Sequence, residues 1–140
     1  VALLLSSSYL PGGHNTQAGA AVAAAMADLE AADPRPLILV MGMLANKDAG
    51  GYLDAFEGLA ACIIAVEIDG HAALAPETLC ELGESRGLMS YIAQSPTEAV
   101  QCALTVGPAL SREDGKDQPY CAPRILICGS LYLAGQVLAL

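Results

Sequence analysis

Five short aliphatic runs, at Val1 to Leu5, Leu37 to Met41, Cys62 to Val66, Leu88 to Ile92 and Arg124 to Cys128, recur along the 140-residue chain. Each has the length of a strand, and none alternates strictly with polar residues, which is the pattern of strands covered on both faces. Parallel strands of that kind need crossover connections long enough to be helices. The stretches between the runs meet that need.

The first helix is predicted from about Thr16 to Ala31, with Val22, Met26 and Leu29 on one face and Ala18, Ala21 and Ala25 alongside to allow close approach to a sheet. Asp33-Pro34 and Pro36 stop it. A second helix is expected over Tyr52 to Leu59, and a third from Pro76 to about Arg86, ahead of Gly87. The fourth carries the clearest start signal, Ser95-Pro96-Thr97-Glu98, in which Ser95 caps and Glu98 completes a capping box. Its apolar face is Val100, Leu104 and residues 106–110, and a last helix is expected to begin near Tyr132. Residues 111–123 are charged, contain Gly115, Pro119 and Pro123, and read as an exposed, mobile loop. With right-handed crossovers the alternation predicts a single three-layer, Rossmann-like α/β domain: a mostly parallel sheet of about five or six strands with helices on both faces.

Aromatic residues are only 4% of the chain while hydrophobic residues are 54%, so the core must be close-packed from Ala, Leu, Ile and Val. The formal net charge of −9 repels phosphate backbones and anionic lipid, and the basic residues are scattered, which argues against nucleic acid and membrane surfaces as partners. An anionic ligand would have to be held by helix N-termini or by one placed cation, for which Lys47 is the best candidate. Five cysteines without a C-x-x-C pair, most of them inside apolar runs, read as free thiols of a reducing, cytoplasmic compartment. No apolar stretch has the length of a membrane span, and the start of the chain does not resemble a signal peptide.

In a parallel sheet, ligands bind at the carboxyl ends of the strands. Three loops fall there: Pro11-Gly12-Gly13-His14-Asn15, then Gly42 to Asp48, then Gly129-Ser130-Leu131-Tyr132. Gly12 and Gly13 permit close backbone approach to a ligand, Asn15 can cap the following helix, and His14 projects an imidazole from its first turn. Each loop also has a purely structural reading. Gly12 to Asn15 can be a tight turn, Lys47-Asp48 a solvated turn before a helix, and Ser130 a helix cap. His71 reads as a surface loop residue. The glycine spacing is neither the dinucleotide fingerprint nor a Walker loop, no G-x-S-x-G elbow exists, and no metal-ligand spacing is present.

Read in order, Gly12-Gly13-His14-Asn15, Val40-Met41-Gly42-Met43-Leu44-Ala45-Asn46-Lys47-Asp48 and Ile125-Leu126-Ile127-Cys128-Gly129-Ser130-Leu131-Tyr132-Leu133-Ala134-Gly135 resemble the C-terminal domain of folylpolyglutamate synthase/dihydrofolate synthase, within the Mur ligase superfamily. The resemblance covers nearly the whole chain from Gly12 onward. It implies that residues 1–140 are the glutamate-ligase domain of an ATP- and magnesium-dependent enzyme that activates a folate or dihydropteroate carboxylate as an acyl phosphate and joins it to the amine of L-glutamate. His14 and Ser130 would then face the reaction centre. Gly12, Gly13, Asn15, Lys47, Asp48 and Tyr132 would line the substrate and nucleotide rim, with no metal ligand among them.

Two departures qualify what is carried over. The family has an Asp immediately before the two small residues and the His, where this chain has Pro11, which supplies neither carboxylate nor amide hydrogen. No phosphate loop is present in these residues, so the resemblance implies that the ATP-binding domain is a separate partner, that no cofactor binds this domain alone, and that the domain alone is inactive. Two other readings stand beside it: a non-catalytic small-molecule binding or interaction domain that keeps the fold, and the C-terminal domain of a peptidoglycan Mur ligase.

Overall fold

A computed structural model describes residues 2–5, 15–45, 47–68, 72–110 and 122–128. The order of elements is β1 (Ala2–Leu5), α1 (Asn15–Ala32), β2 (Leu37–Met41), α2 (Ala49–Asp54), β3 (Cys62–Val66), α3 (Pro76–Glu84), β4 (Met89–Ala93), α4 (Pro96–Leu110) and β5 (Arg124–Cys128). The five strands form one sheet in the order β1-β5-β2-β3-β4, and every pairing is parallel. The expected three-layer α/β architecture is what these residues adopt.

Strand periodicity sorts the core into two layers. On one face, Leu39, Met41, Ile63, Ala65, Leu126 and Cys128 pack with Ala23 and Met26 of α1, Tyr52 and Leu53 of α2, and Leu79 and Cys80 of α3. On the other, Ile38, Val40, Cys62, Ile64, Val66, Ile125 and Ile127 pack with Ala99 and Ala103 of α4. The connections from β1 to β4 step across the sheet in one direction and keep α1 to α3 on one side. Between β4 and β5 the chain reverses direction, and a right-handed crossover then places α4 on the opposite face. The reversal also inserts β5 between β1 and β2, so that Arg124 is in register with both Ala2 and Leu37.

Five local expectations are corrected, the first on α4, where the buried line is Ala99, Ala103 and Gly107 and Leu104 is 41% exposed. The second helix occupies Ala49–Asp54, earlier than Tyr52 to Leu59, because Asp48 Oδ1 accepts the Gly51 amide at 3.0 Å and starts the helix across two glycines that are weak helix formers. Residues 55–59 instead form turns with i to i+3 hydrogen bonds, Phe56 N–H to Leu53 O and Leu59 N–H to Phe56 O, ending at Gly58 with φ +78°. On α1 the buried line is Gly19, Ala23 and Met26, while Leu29 is 39% exposed and Ala21 and Ala25 face outward. The fourth strand is not covered on both faces: it is a sheet edge, with Met89 45% and Ile92 40% exposed. At the start of α4, Ser95 Oγ accepts the Glu98 amide at 3.1 Å as expected, but Glu98 Oε2 reaches back to the Gln94 amide rather than to that of Ser95. The final helix near Tyr132, His71 and residues 111–121 lie outside the described residues.

Two contacts fix α1. A methyl group at Gly19 would sit 2.5 Å from the Tyr52 carbonyl oxygen, so only glycine lets α1 approach α2 this closely. At the far end, the buried Arg124 guanidinium donates to Asp33 O at 2.9 Å and Leu29 O at 3.5 Å, and lies 3.5 Å from Glu30 Oε2. A cation here opposes the negative dipole end of the helix and adds a charged donor to Asp33 O, just past α1, and to Leu29 O, which also accepts the Asp33 amide at 2.8 Å. Arg124→Ala is expected to lower stability in urea denaturation by about 2 kcal/mol, because the Asp33 carbonyl loses a charged donor while Glu30 keeps only the Arg35 amide. Asp33→Asn, which removes only the exposed ion pair to Arg35, should stay within about 1 kcal/mol. Equal effects would show that the Arg124 cap is not what secures α1.

Candidate functional site

Strands β1, β5 and β2 are consecutive in the sheet and parallel, so the chain leaves three neighbouring positions at their carboxyl ends. These are the strands that precede the three loops singled out in the sequence. Asn15 is the first residue of α1. Gly12, Gly13, His14, Ser130 and Tyr132 lie outside the described residues. The Gly42 amide donates to Cys128 O at 3.4 Å, joining the ends of β2 and β5 where their loops begin.

The loop after β2 is held from above. Leu44 forms an antiparallel bridge with Ala73, flanked by Ala45 N–H to Ala72 O at 3.0 Å and Leu74 N–H to Met43 O at 2.9 Å. A turn closed by Lys47 N–H to Leu44 O then delivers the chain to Asp48. The Asp48 carboxylate caps α2, so the structural reading of that residue holds, and it has a second use only through its remaining lone pairs. Lys47, half-buried beside it, supplies the cation of this loop.

A cavity of about 270 Å³ lies at the ends of β3 and β4, lined by Glu67, Ala73, Pro76, Glu77, Ile92 and Gln94 among others. The chain leaves β3 toward α3 on one face and β4 toward α4 on the other, which makes this pair a topological switch point. Nothing in the sequence marks it, because it depends on which strands become neighbours. Among the described residues no group of three or more His, Cys, Asp and Glu is arranged to hold a metal ion, and no helix is long and apolar enough to cross a membrane.

Tyr52 packs in the apolar layer with Met41 and Cys128, the last residues of β2 and β5; it is fully buried, its ring centroid 5.5 Å from that of Phe56. Sequence reasoning gave it no role beyond opening a helix. Burial pushes the thiols of Cys128 and Cys62 up to about 12. Both thiols keep their protons in the folded protein where the unfolded chain, near its ordinary value of 9.0, has lost them. The folded state therefore binds more protons between about 9 and about 12, and stability falls as pH rises through that window. At pH 8, an aromatic disulfide reagent is expected to leave Cys62 and Cys128 unmodified until urea is added, and the urea midpoint should decline above pH 9. Modification of Cys128 in the native protein as fast as the partly exposed Cys102 would contradict this.

No protein-family model and no curated protein matches the chain. Solved structures do. A Mycobacterium tuberculosis folylpolyglutamate synthase complexed with ADP and AMPPCP superposes with a TM-score of 0.68 and 25% identity over 94% of this chain and 28% of its own. E. coli FolC in complex with DHPP and ADP gives 0.68 and 21% over 90% of this chain and 26% of its own. The bifunctional folylpolyglutamate synthase/dihydrofolate synthase of Yersinia pestis, complexed with AMPPNP and a Mn ion, gives 0.67 and 18% over 90% and 26%. The chain thus spans about a quarter of the length of these enzymes, and its fold is that of one domain of folylpolyglutamate synthase/dihydrofolate synthase.

Proposed function

We propose that this chain is the C-terminal, glutamate-ligase domain of a cytoplasmic ATP-dependent ligase that joins L-glutamate to a folate, to dihydropteroate, or to both. The observation that carries the reading is the placement of β1, β5 and β2 side by side, since these strands lead into the Gly12-Gly13-His14-Asn15, Lys47-Asp48 and Gly129-Ser130 loops. The likeness to folylpolyglutamate synthases over at least nine-tenths of the chain supports it, and favours folate over a peptidoglycan precursor. In this reading His14 and Ser130 face the reacting groups, and Gly12, Gly13, Asn15, Lys47, Asp48 and Tyr132 form the rim around them. Anionic substrate groups would be drawn by the Lys47 ammonium and the α1 N-terminus, against the overall charge of −9.

The residues of this chain do not fit a complete ATP and magnesium site. The sequence has no phosphate loop, Pro11 offers no carboxylate, and the described residues hold no metal-binding cluster. Nucleotide phosphates and metal would be held by a separate ATP-binding domain, and the chain's own contribution is to bind and orient glutamate against it. Closure of the two domains would exclude water from the reacting carboxylate.

A second reading rests on the same Pro11: a binding or interaction domain that keeps the fold without catalysis. The two separate in the full-length protein. There, His14→Ala and Ser130→Ala are each expected to lower glutamate-dependent ADP release by roughly 10- to 100-fold, the worth of one hydrogen bond to a charged group, with unchanged urea midpoints. Unchanged turnover removes that residue from the site. The isolated chain is expected to bind glutamate and ATP only weakly, and tight binding of either would favour the second reading.

A further inference from the structure

The sheet ends at β4, on an edge that lacks the protections such edges carry. Among the described residues β4 pairs with β3 alone, in an unbroken parallel register from Cys62 and Met89 to Val66 and Ala93. The Met89 amide donates to Ala61 O at 3.1 Å, so Met89, Tyr91 and Ala93 direct their amides and carbonyls toward β3. Alternation turns those of Ser90 and Ile92 to the free edge, and the next outward amide, that of Gln94, is taken by Glu98 Oε2 at 3.1 Å. Proteins ordinarily blunt a free edge with a lysine, a proline or a bulge. Met89-Ser90-Tyr91-Ile92-Ala93 has none of these. Its Met89 and Ile92 side chains stand exposed, the first on the α4 side of the sheet and the second on the α3 side.

The surroundings select what can pair there. The elements flanking β4 expose Glu67, Glu77, Glu81, Glu84 and Glu98, whereas the one Lys or Arg between Ala60 and Leu110, Arg86, is engaged by Asp54 at 2.7 Å. A second copy would bring the same carboxylates together, and the chain's charge of −9 adds to that repulsion. The cavity at the carboxyl end of the strand is lined by Ile92 and Gln94 together with Glu67 and Glu77, a setting that favours a cationic group and repels an anionic one.

We propose that the free edge of β4 docks an extended, basic segment of a partner protein, which adds a strand beside Ser90 and Ile92 and sets a Lys or Arg side chain in the cavity near Glu67 and Glu77. Main-chain hydrogen bonds supply affinity, while Met89, Ile92 and the carboxylates select a segment in which apolar and cationic residues alternate. This edge is separated from β5 by β3 and β2, so its occupation does not depend on the catalytic reading.

The test titrates the isotope-labelled full-length protein with a peptide of alternating Val and Lys, and with its Val and Glu counterpart. At saturation with the lysine peptide, the Ser90 and Ile92 amides are expected to exchange about tenfold more slowly, the worth of one hydrogen bond each, while those of Met89 and Tyr91, already bonded to β3, keep their rates. The glutamate peptide should protect neither. Ile92→Lys, at an exposed position, should abolish the protection without moving the urea midpoint, and Glu67→Gln combined with Glu77→Gln should weaken binding by about fivefold, as for two exposed ion pairs. Equal binding of both peptides, equal protection of every β4 amide, or no protection would each overturn the proposal. So would protection of Ser90 and Ile92 that grows with protein concentration in the absence of peptide, because a second copy would then hold the edge.

Discussion

The insertion of β5 between β1 and β2 is the constraint on which the rest of the structure depends. It is the last strand in the described chain, paired on both edges and with every residue buried, as in β2 and β3. Its first residue, Arg124, reaches the carbonyls at the C-terminal end of α1, and its last, Cys128, lies in the same apolar layer as Tyr52 of α2 and accepts the Gly42 amide on its carbonyl. A single five-residue strand thereby holds the end of one helix and the root of a loop. A long-range pairing of this kind costs loop-closure entropy that its contacts must offset.

Much of this architecture was legible as pattern. β2, β3 and β5 appear in the sequence as unbroken aliphatic runs because helices cover both their faces, and the structure buries every one of their residues. β4 has a similar composition but ends at the sheet edge, a difference set by where α4 turns the chain back and invisible in five consecutive residues. The buried face of α1 was misplaced because alanine fits either side of a helix. Only contact with α2 selects the line Gly19, Ala23, Met26. The start of α2 was hidden by Gly50 and Gly51, whose poor propensity is overridden by the Asp48 cap.

The candidate site was legible as three strings in order and not as an arrangement. Strand order decides that the carboxyl ends of β1, β5 and β2 are neighbours, although β1 and β5 lie more than a hundred residues apart, and no local signal encodes it. Asp48 shows the opposite case, a residue marked by its charge whose carboxylate is committed to a helix terminus.

The measurement that bears most directly on the shared-site account is a glutamate titration of the isotope-labelled full-length protein, saturated with nucleotide and folate, followed by amide chemical shifts. The account predicts that residues 12–15, 47–48 and 129–132 shift together, with one common midpoint. Shifts confined to the β3 and β4 end, at Glu67, Glu77 and Gln94, or separate midpoints for the three loops, would contradict it.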